Sequence, residues 1–274
     1  MAIKDILFLL NPEGEAQPAA PYATAFADHL GAHLTAAGVI YEMLVPSGFT
    51  GDYPADIMAA LTDQSRERNV ASYARMCKAG PASLRSELVE IDAIPGEARY
   101  ELARLARHFD LTIIGQPRER NSEDSLMAES AIFESGRPVL FVPHIQKQAP
   151  KLNRIVVAWD GSRTAARALA DAHSILEKAS TIDVVSISDP RLGYKELPGF
   201  NITRHLSRHG LNAELKRLPT SGDIGETLLS YAADAGADLL VMGAYGHSRL
   251  REFVLGGTTR TIMQTMTVPV FMSH

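Results

Sequence analysis

With 274 residues, 46% of them hydrophobic, the chain is long enough for two globular domains of about 135 residues each. Its formal net charge of −5 and its pI of about 6.0 disfavour nucleic acid as a partner. The single cysteine, Cys77, excludes an intramolecular disulfide framework and predicts a cytoplasmic location, and no apolar run reaches the roughly 18 residues that a membrane span needs.

The first half of the chain alternates apolar strands with helical segments rich in alanine or periodic in apolar residues. Its predicted elements are, in order, a strand ending at Asn11-Pro12, a helix over residues 19–34, a strand over residues 35–40, a mostly helical stretch over residues 41–80, a helix starting near Gly96, a strand closing on Gly115, and a strand over Val139–Val142. Polar residues 146–152 (QKQAPKL) then form a linker.

The second half repeats this order. Its predicted elements are a strand ending at Asp160-Gly161, a helix over residues 164–179, a strand over residues 182–187, a helix starting near Gly225, a strand closing on Gly243, and a strand over Val270–Met272. Strands that are apolar throughout and alternate with helices predict a parallel sheet covered on both faces. We therefore expect two tandem, doubly wound α/β domains, over residues 1–146 and 151–274.

A glycine pattern follows the penultimate strand of the second half. The spacing G-x2-G-x9-G, with a further glycine and two threonines behind it, is formed by Gly243, Gly246, Gly256, Gly257, Thr258 and Thr259. Glycines after a strand let backbone N–H groups approach a ligand, and a helix opening at Gly257 adds the positive end of its dipole. The pattern predicts a phosphate site for a nucleotide, and a structural turn is the alternative.

This motif, between two apolar strands, resembles that of the ATP-binding branch of the universal stress protein family, where Ser, Thr or Asn follows the last glycine. Here Gly257 takes that hydroxyl position and Thr258 comes next. The resemblance covers nearly the whole chain as a tandem pair of such domains. It implies two parallel five-stranded sheets with a Rossmann-like fold of the adenine nucleotide alpha hydrolase type. Val139–Val142 would pair with Val270–Met272 in an intrachain pseudo-dimer. A homodimer of such chains is a further expectation.

The resemblance also implies the ligand, which is ATP, ADP or AMP, with Mg²⁺ held through the phosphate oxygens. Asp160 would contact the nucleoside, while Ala158, Trp159 and Ile187 would frame the adenine. Met242 and Gly243 end their strand at the same edge of the sheet. The ribose and phosphates would be surrounded by Gly246, Gly256, Gly257, Thr258 and Thr259. From the residues alone, Asp160 is also a candidate turn or capping residue, and Trp159 a candidate core residue.

The first half lacks this motif. After Gly115 the chain reads QPRERNSED, so the second and third glycines are missing and Pro117 removes a backbone donor. Three acidic residues would oppose a phosphate, Glu119, Glu123 and Asp124, although Arg118 and Arg120 partly offset them. Asn11 replaces the acidic residue after the first strand. We expect this half to bind no ATP in the usual manner, and to serve as a scaffold or hold another ligand.

No catalytic residue or metal ligand can be assigned from the sequence. His205 and His209 lie four residues apart, as do His29 and His33, but no third ligand is apparent, which favours solvated histidines. Three functions remain in view: a stress-response or signalling module that responds to bound nucleotide through conformation or assembly, a scaffold for protein contacts, and a slow ATPase. The sequence favours them in that order.

Overall fold

The computed structural model describes residues 2–10, 18–42, 55–94, 96–118, 122–188, 201–220, 222–245 and 257–274. The chain divides into two compact units. The N-terminal unit is Ile3–Arg137, and the C-terminal unit is Pro138–His274 together with Met1–Ala2. No helix of the described residues is long and apolar enough to cross a membrane.

The N-terminal unit is an α/β layer structure with a parallel sheet. Its described elements are β1 (Asp5–Leu9), α1 (Ala19–Leu30), β2 (His33–Tyr41), α2 (Ala55–Ala79), β3 (Ser86–Ala93), α3 (Ala98–Ala106), β4 (Leu111–Gly115) and α4 (Glu123–Glu134). The strands lie in the order β3-β2-β1-β4 and run parallel. Strands β1 and β4 are almost entirely buried, which explains why their sequences are apolar at nearly every position rather than at alternate ones.

The C-terminal unit has the same construction. Its described elements are β5 (Val139–Val142), β6 (Arg154–Ala158), α5 (Arg163–Asp171), α6 (His173–Leu176), β7 (Thr181–Ser188), α7 (Ile202–Arg208), β8 (Ala213–Pro219), α8 (Ile224–Asp234), β9 (Leu239–Gly243), α9 (Gly257–Thr265) and β10 (Val270–Ser273). The strand order is β5-β10-β9-β6-β7-β8, parallel except for β5. The predicted mixed α/β class, with its mostly parallel sheets, is confirmed.

Strand β5 runs antiparallel to β10, with Leu140 opposite Phe271. This pairing of Val139–Val142 with Val270–Met272 is the one that the family resemblance implies, and it protects two short apolar strands from solvent. Because β5 is grouped with the C-terminal unit, that unit contains six of the described strands and the N-terminal unit four. The domain boundary near residues 146–151 and the pseudo-dimer stay predictions.

Two predicted helices end earlier than the sequence pattern suggests. Helix α1 stops at Leu30 because Gly31 adopts the left-handed conformation, with φ of 64°, and caps it; the predicted end was residue 34. The helix predicted over residues 164–179 is broken into α5 and α6 at Ala172, where ψ is −2°. Within the predicted helical stretch 41–80, α2 is present and residues 43–54 lie outside the described part.

A carboxylate before the fourth parallel strand fixes the start of the first strand in each unit. The Asp110 Oδ2 atom accepts hydrogen bonds from the backbone N–H groups of Lys4 and Asp5, at 2.8 and 3.1 Å. The Asp238 Oδ2 atom accepts from Asn153 and Arg154 in the same way, at 2.8 and 3.0 Å. These charge-assisted bonds satisfy N–H groups at the amino end of the sheet, opposite the edge where ligands bind in such folds.

Candidate functional site

A pocket of about 220 Å³ lies at the carboxyl ends of strands β6, β7 and β9 in the C-terminal unit. These strands flank the point where the chain changes direction in the sheet, since β9 and β7 lie on opposite sides of β6. Nine of the residues that the sequence assigns to a nucleotide site line this pocket: Ala158, Trp159, Asp160, Ile187, Met242, Gly243, Gly257, Thr258 and Thr259. The remaining two, Gly246 and Gly256, lie outside the described residues.

Five further lining residues carry no signal in the sequence motif. They are Ala165, Val185, Ile224, Leu228 and Tyr245. Val185 and Leu228 are buried, and they extend the apolar wall that Ala158, Ile187 and Met242 form. The apolar spacing of α8 indicates that this helix packs on the sheet, but only the strand order places its first turn beside β6 and β7. The pocket therefore has one apolar side, while Asp160 and the threonines of α9 contribute polar groups.

Asp160 lies on the exposed rim of the pocket and also stabilises a turn. Its Oδ1 atom accepts a hydrogen bond from the Ser162 N–H group at 2.9 Å, and the Ser162 Oγ atom caps α5 by accepting from the Ala165 N–H group at 3.1 Å. The structure thus shows Asp160 as a turn residue at the rim of the pocket, and its contact with a nucleoside stays a prediction.

Gly243 is required by packing as well as by its place in the pocket. A Cβ atom built on it would lie 2.5 Å from both the carbonyl carbon of Thr164 and the nitrogen of Ala165. Distances below about 3.0 Å to backbone atoms leave no room, so glycine is what lets β9 end against the first turn of α5. A Cβ on Gly257 meets none of the described atoms within 4 Å, so packing there does not demand a glycine.

The two threonines at the start of α9 differ in their surroundings. Thr259 is 3% exposed, and its Oγ1 atom accepts a hydrogen bond from the Tyr245 N–H group at 3.2 Å, which ties the loop after β9 to α9. Thr258 is half-buried at the pocket wall. Helix α9 is in turn fixed to α8, because the Thr261 hydroxyl donates to the Asp223 Oδ2 atom at 3.2 Å.

The N-terminal unit has a pocket of about 310 Å³ at the carboxyl end of β2, but its chemistry is different. It is lined by Val39, Tyr41, Ser65, Arg68, Asn69, Ser122, Glu123 and Asp124. The carboxylates of Glu123 and Asp124 lie in the first turn of α4, at the helix end that attracts anions. The Glu123 carboxylate accepts a hydrogen bond from the Gly96 N–H group at 3.3 Å. Burial, followed by the charges of Glu123 and Asp124, raises the pKa of the Tyr41 phenol.

Helix α2 contributes Ser65, Arg68 and Asn69 to the wall of the same pocket. Asn69 is 2% exposed and donates from Nδ2 to the Val39 carbonyl oxygen at 3.2 Å. A Cβ on Gly38 would overlap the Asn69 amide, so the glycine in β2 makes room for this side chain. The carboxylates and the inserted amide give this pocket a chemistry unlike that of the C-terminal one, and the expectation that this half binds no ATP in the usual manner stays a prediction. Three residues on which that expectation also rests lie outside the described residues: Asn11, Glu119 and Arg120.

The histidine pair on α7 is part of a larger cluster. The His209 ring lies 4.8 Å from the His205 ring and 5.2 Å from the His173 ring, between centroids. The sequence treats His205 and His209 as solvated helix residues; both are exposed, and the contact with His173 is a tertiary feature that spacing alone does not reveal. Within the described ranges, no group of three His, Cys, Asp or Glu side chains has a geometry that could hold a metal ion.

Residues 151–274 match the model of the universal stress protein family. Universal stress protein Slr1230 of Synechocystis is 29% identical over 175 residues, which make up 62% of this chain and 59% of that protein, so the chain spans less than two thirds of this relative. A universal stress protein of Archaeoglobus fulgidus shares the fold, with a TM-score of 0.71 at 16% identity over 98% of this chain and 97% of that one. Another universal stress protein, solved in complex with cAMP, matches 53% of this chain and 99% of its own at 19% identity, with a TM-score of 0.33.

Proposed function

Residues 151–274 form a universal stress protein domain, and on this premise we propose that the chain binds ATP or another adenine nucleotide through its C-terminal unit. The bound nucleotide serves as a stress-response or signalling input, read out through conformation or assembly. The observation that carries the proposal is the single pocket at the carboxyl ends of β6, β7 and β9, in which nine of the predicted residues meet.

The apolar side of the pocket suits the adenine ring. Ala158, Val185 and Ile187 come from neighbouring strands, and Leu228 approaches from α8, so a planar base is enclosed by aliphatic side chains. Trp159 follows β6 directly, and its backbone N–H donates to the Val185 carbonyl oxygen at 2.8 Å. This bond continues the pairing of β6 with β7 at the edge of the pocket, and burial of the base supplies the hydrophobic part of the affinity.

The polar side suits the ribose and phosphates. Asp160 at the rim is placed to accept hydrogen bonds from ribose hydroxyls, and Thr258 lies at the first described turn of α9, where the helix dipole favours negative charge. Gly246 and Gly256, outside the described residues, complete the proposed phosphate loop, and Mg²⁺ joins through phosphate oxygens near Asp160. The cytoplasmic location and a homodimer belong to the same proposal and rest on the sequence.

Binding without chemistry is favoured over ATP hydrolysis by the lining residues. Phosphoryl transfer needs a group that orients the attacking water in addition to one that holds the metal. Among the described lining residues, Asp160 is the sole carboxylate, and one of its oxygens already accepts from Ser162. A turnover assay with ATP and Mg²⁺ separates the two functions, since the proposal predicts occupancy without product.

The test of the site introduces a negative charge where the phosphates are proposed to lie. Thr258→Glu places a carboxylate where the phosphates lie, as Glu123 and Asp124 do in the N-terminal unit, and should weaken ATP binding about tenfold or more, or by ~1.4 kcal/mol. Thr265→Glu adds the same charge at the exposed far end of the same helix and should leave binding unchanged. Isothermal titration calorimetry with ATP and Mg²⁺ decides; equal affinities for both variants would refute this placement of the phosphates.

A further inference from the structure

The loop that leaves β9 is held at its base by the end of β10. The Ala244 N–H group donates to the Ser273 carbonyl oxygen at 2.8 Å, which continues the ladder between the two strands by one residue. The Ala244 carbonyl oxygen lies 3.0 Å from the Nδ1 atom of His274. Because a carbonyl oxygen only accepts, the imidazole donates, and Nδ1 carries the proton. Both polar groups of a fully buried residue are thereby satisfied from one neighbouring segment.

Ala244 is the residue between two that line the pocket, Gly243 and Tyr245. Tyr245 has φ of 58°, in the left-handed region that side-chain-bearing residues rarely adopt. Such a conformation persists when surrounding bonds fix it. Here two bonds fix the peptide unit that joins Ala244 to Tyr245: its N–H group, that of Tyr245, donates to Thr259 Oγ1, and its carbonyl oxygen, that of Ala244, accepts from His274. Losing either one lets the chain relax toward an unstrained turn.

We propose that His274 is a positioning residue of the nucleotide site: by donating from Nδ1 to the Ala244 carbonyl oxygen, it holds the first residues of the phosphate loop in the conformation that accepts the nucleotide. This inference rests on the proposed function. His274 itself lines no part of the pocket and acts through Ala244. In the sequence, His144 and His274 occupy equivalent places after β5 and β10, which suggests duplication alone. The contact between the His274 ring and the Ala244 carbonyl oxygen is visible only in the folded chain.

The experiment measures ATP affinity, with Mg²⁺, for the intact protein and three variants of His274. His274→Ala removes the donor, and His274→Phe removes it while keeping a ring. His274→Asn keeps an N–H donor at nearly the distance of Nδ1 from the backbone. We expect the dissociation constant to rise about five- to tenfold in the Ala and Phe variants, as for the loss of one hydrogen bond, and to stay within about twofold in the Asn variant.

Melting temperature serves as the control, since His274 is half-buried and its loss should leave the unit folded. Unchanged affinity in His274→Ala would overturn the inference, and so would equal weakening in the Asn and Phe variants, because ring shape and not donation would then matter.

A second readout needs no ligand. Amide hydrogen exchange at Tyr245 should accelerate in the Ala and Phe variants and return to the original rate in His274→Asn. If the unmodified protein binds no ATP at all, the proposed function fails, whereas the exchange rate at Tyr245 still decides whether His274 holds the loop. An exchange rate that is identical in all variants would refute the positioning role.

Discussion

Three residues combine a structural role with a place in the candidate nucleotide site: Asp160, Gly243 and Thr259. Asp160 closes a turn through Ser162, Gly243 lets β9 meet α5, and Thr259 receives the Tyr245 N–H group. At such positions a loss of ATP binding in a mutant does not by itself identify a ligand contact. The stability of each mutant must therefore be measured together with its affinity for ATP. The only tryptophan of the chain, Trp159, lies in this pocket, so its fluorescence reports on the unfolding of the C-terminal unit.

The first prediction concerns Gly243. Gly243→Ala should destabilise the C-terminal unit by about 1–3 kcal/mol, because the added Cβ collides with backbone atoms of α5 that have no alternative rotamer. Gly257→Ala is the matched control, and it should leave stability unchanged or raise it by up to about 1 kcal/mol, since an alanine fits a helix better. Urea unfolding followed by Trp159 fluorescence measures both. Equal changes in stability in the two variants would contradict the close approach of β9 to α5.

The second prediction concerns Tyr41. Burial, Glu123 and Asp124 raise its pKa above the ordinary value of about 10. The folded state therefore holds the phenolic proton more tightly than the unfolded state does, so this contribution to stability is complete below pH ~10 and falls as pH rises toward the folded pKa. Tyr41→Phe should show a smaller loss of stability between pH 8 and pH 11.

Circular dichroism during urea unfolding at the two pH values provides the measurement for Tyr41. Tyr100→Phe, at an exposed tyrosine on α3 of the same unit, is the control for general alkaline effects. A fall in stability as large in Tyr41→Phe as in the unmodified protein would contradict the assignment.

At the scale of elements, the contact between α8 and α9 fixes one wall of the pocket. Asp223 caps α8 by accepting from the Glu226 N–H group at 2.9 Å, and its second oxygen accepts from Thr261 on α9 at 3.2 Å. Gly225 allows this approach, because a Cβ there would lie 2.9–3.0 Å from the Thr261 side chain. The positions of Ile224 and Leu228 in the pocket depend on this junction.

The third prediction tests that junction. Asp223→Ala should cost about 1–2 kcal/mol through the lost cap, with the bond to α9 in addition, while Thr261→Val should cost about 1 kcal/mol. A double-mutant cycle should give a coupling energy of at least about 0.5 kcal/mol, since both changes remove the same bond. Additive effects would show that the two helices are held by other contacts.

The strands and helices could be predicted from the sequence where the pattern of apolar residues identifies them. Buried strands such as β1 and β9 are apolar at nearly every position, and the pairing of β5 with β10 followed from the resemblance. Helix ends were less predictable, because the stop of α1 depends on one left-handed glycine and the break between α5 and α6 on the ψ angle of Ala172. Of the site, the glycine motif and the strand ends could be predicted. The places of Tyr245 and Leu228 in the pocket could not, because they depend on tertiary packing. The contact of His274 with Ala244 could not either, because it depends on the pairing of β10 with β9.

At the scale of the whole molecule, the two units present opposite chemistry at the carboxyl ends of their strands. In the C-terminal unit, glycine and threonine begin α9, whereas in the N-terminal unit Glu123 and Asp124 begin α4 and Asn69 enters the pocket. A helix end already neutralised by its own carboxylates has little attraction left for phosphates. The proposed division of labour is therefore one nucleotide-binding unit and one unit that serves as a scaffold or binds another ligand.

The most direct test of the central claim is the amount of adenine nucleotide that freshly purified protein releases on denaturation, identified and counted by mass spectrometry. The same preparation of Thr258→Glu is the reference. We expect about one nucleotide per chain in the unmodified protein and much less in the variant. Protein that loses its nucleotide during purification is first incubated with ATP and Mg²⁺ to refill the site. Two nucleotides per chain would contradict the assignment of the N-terminal unit, and none, even after addition of ATP and Mg²⁺, would contradict nucleotide binding altogether.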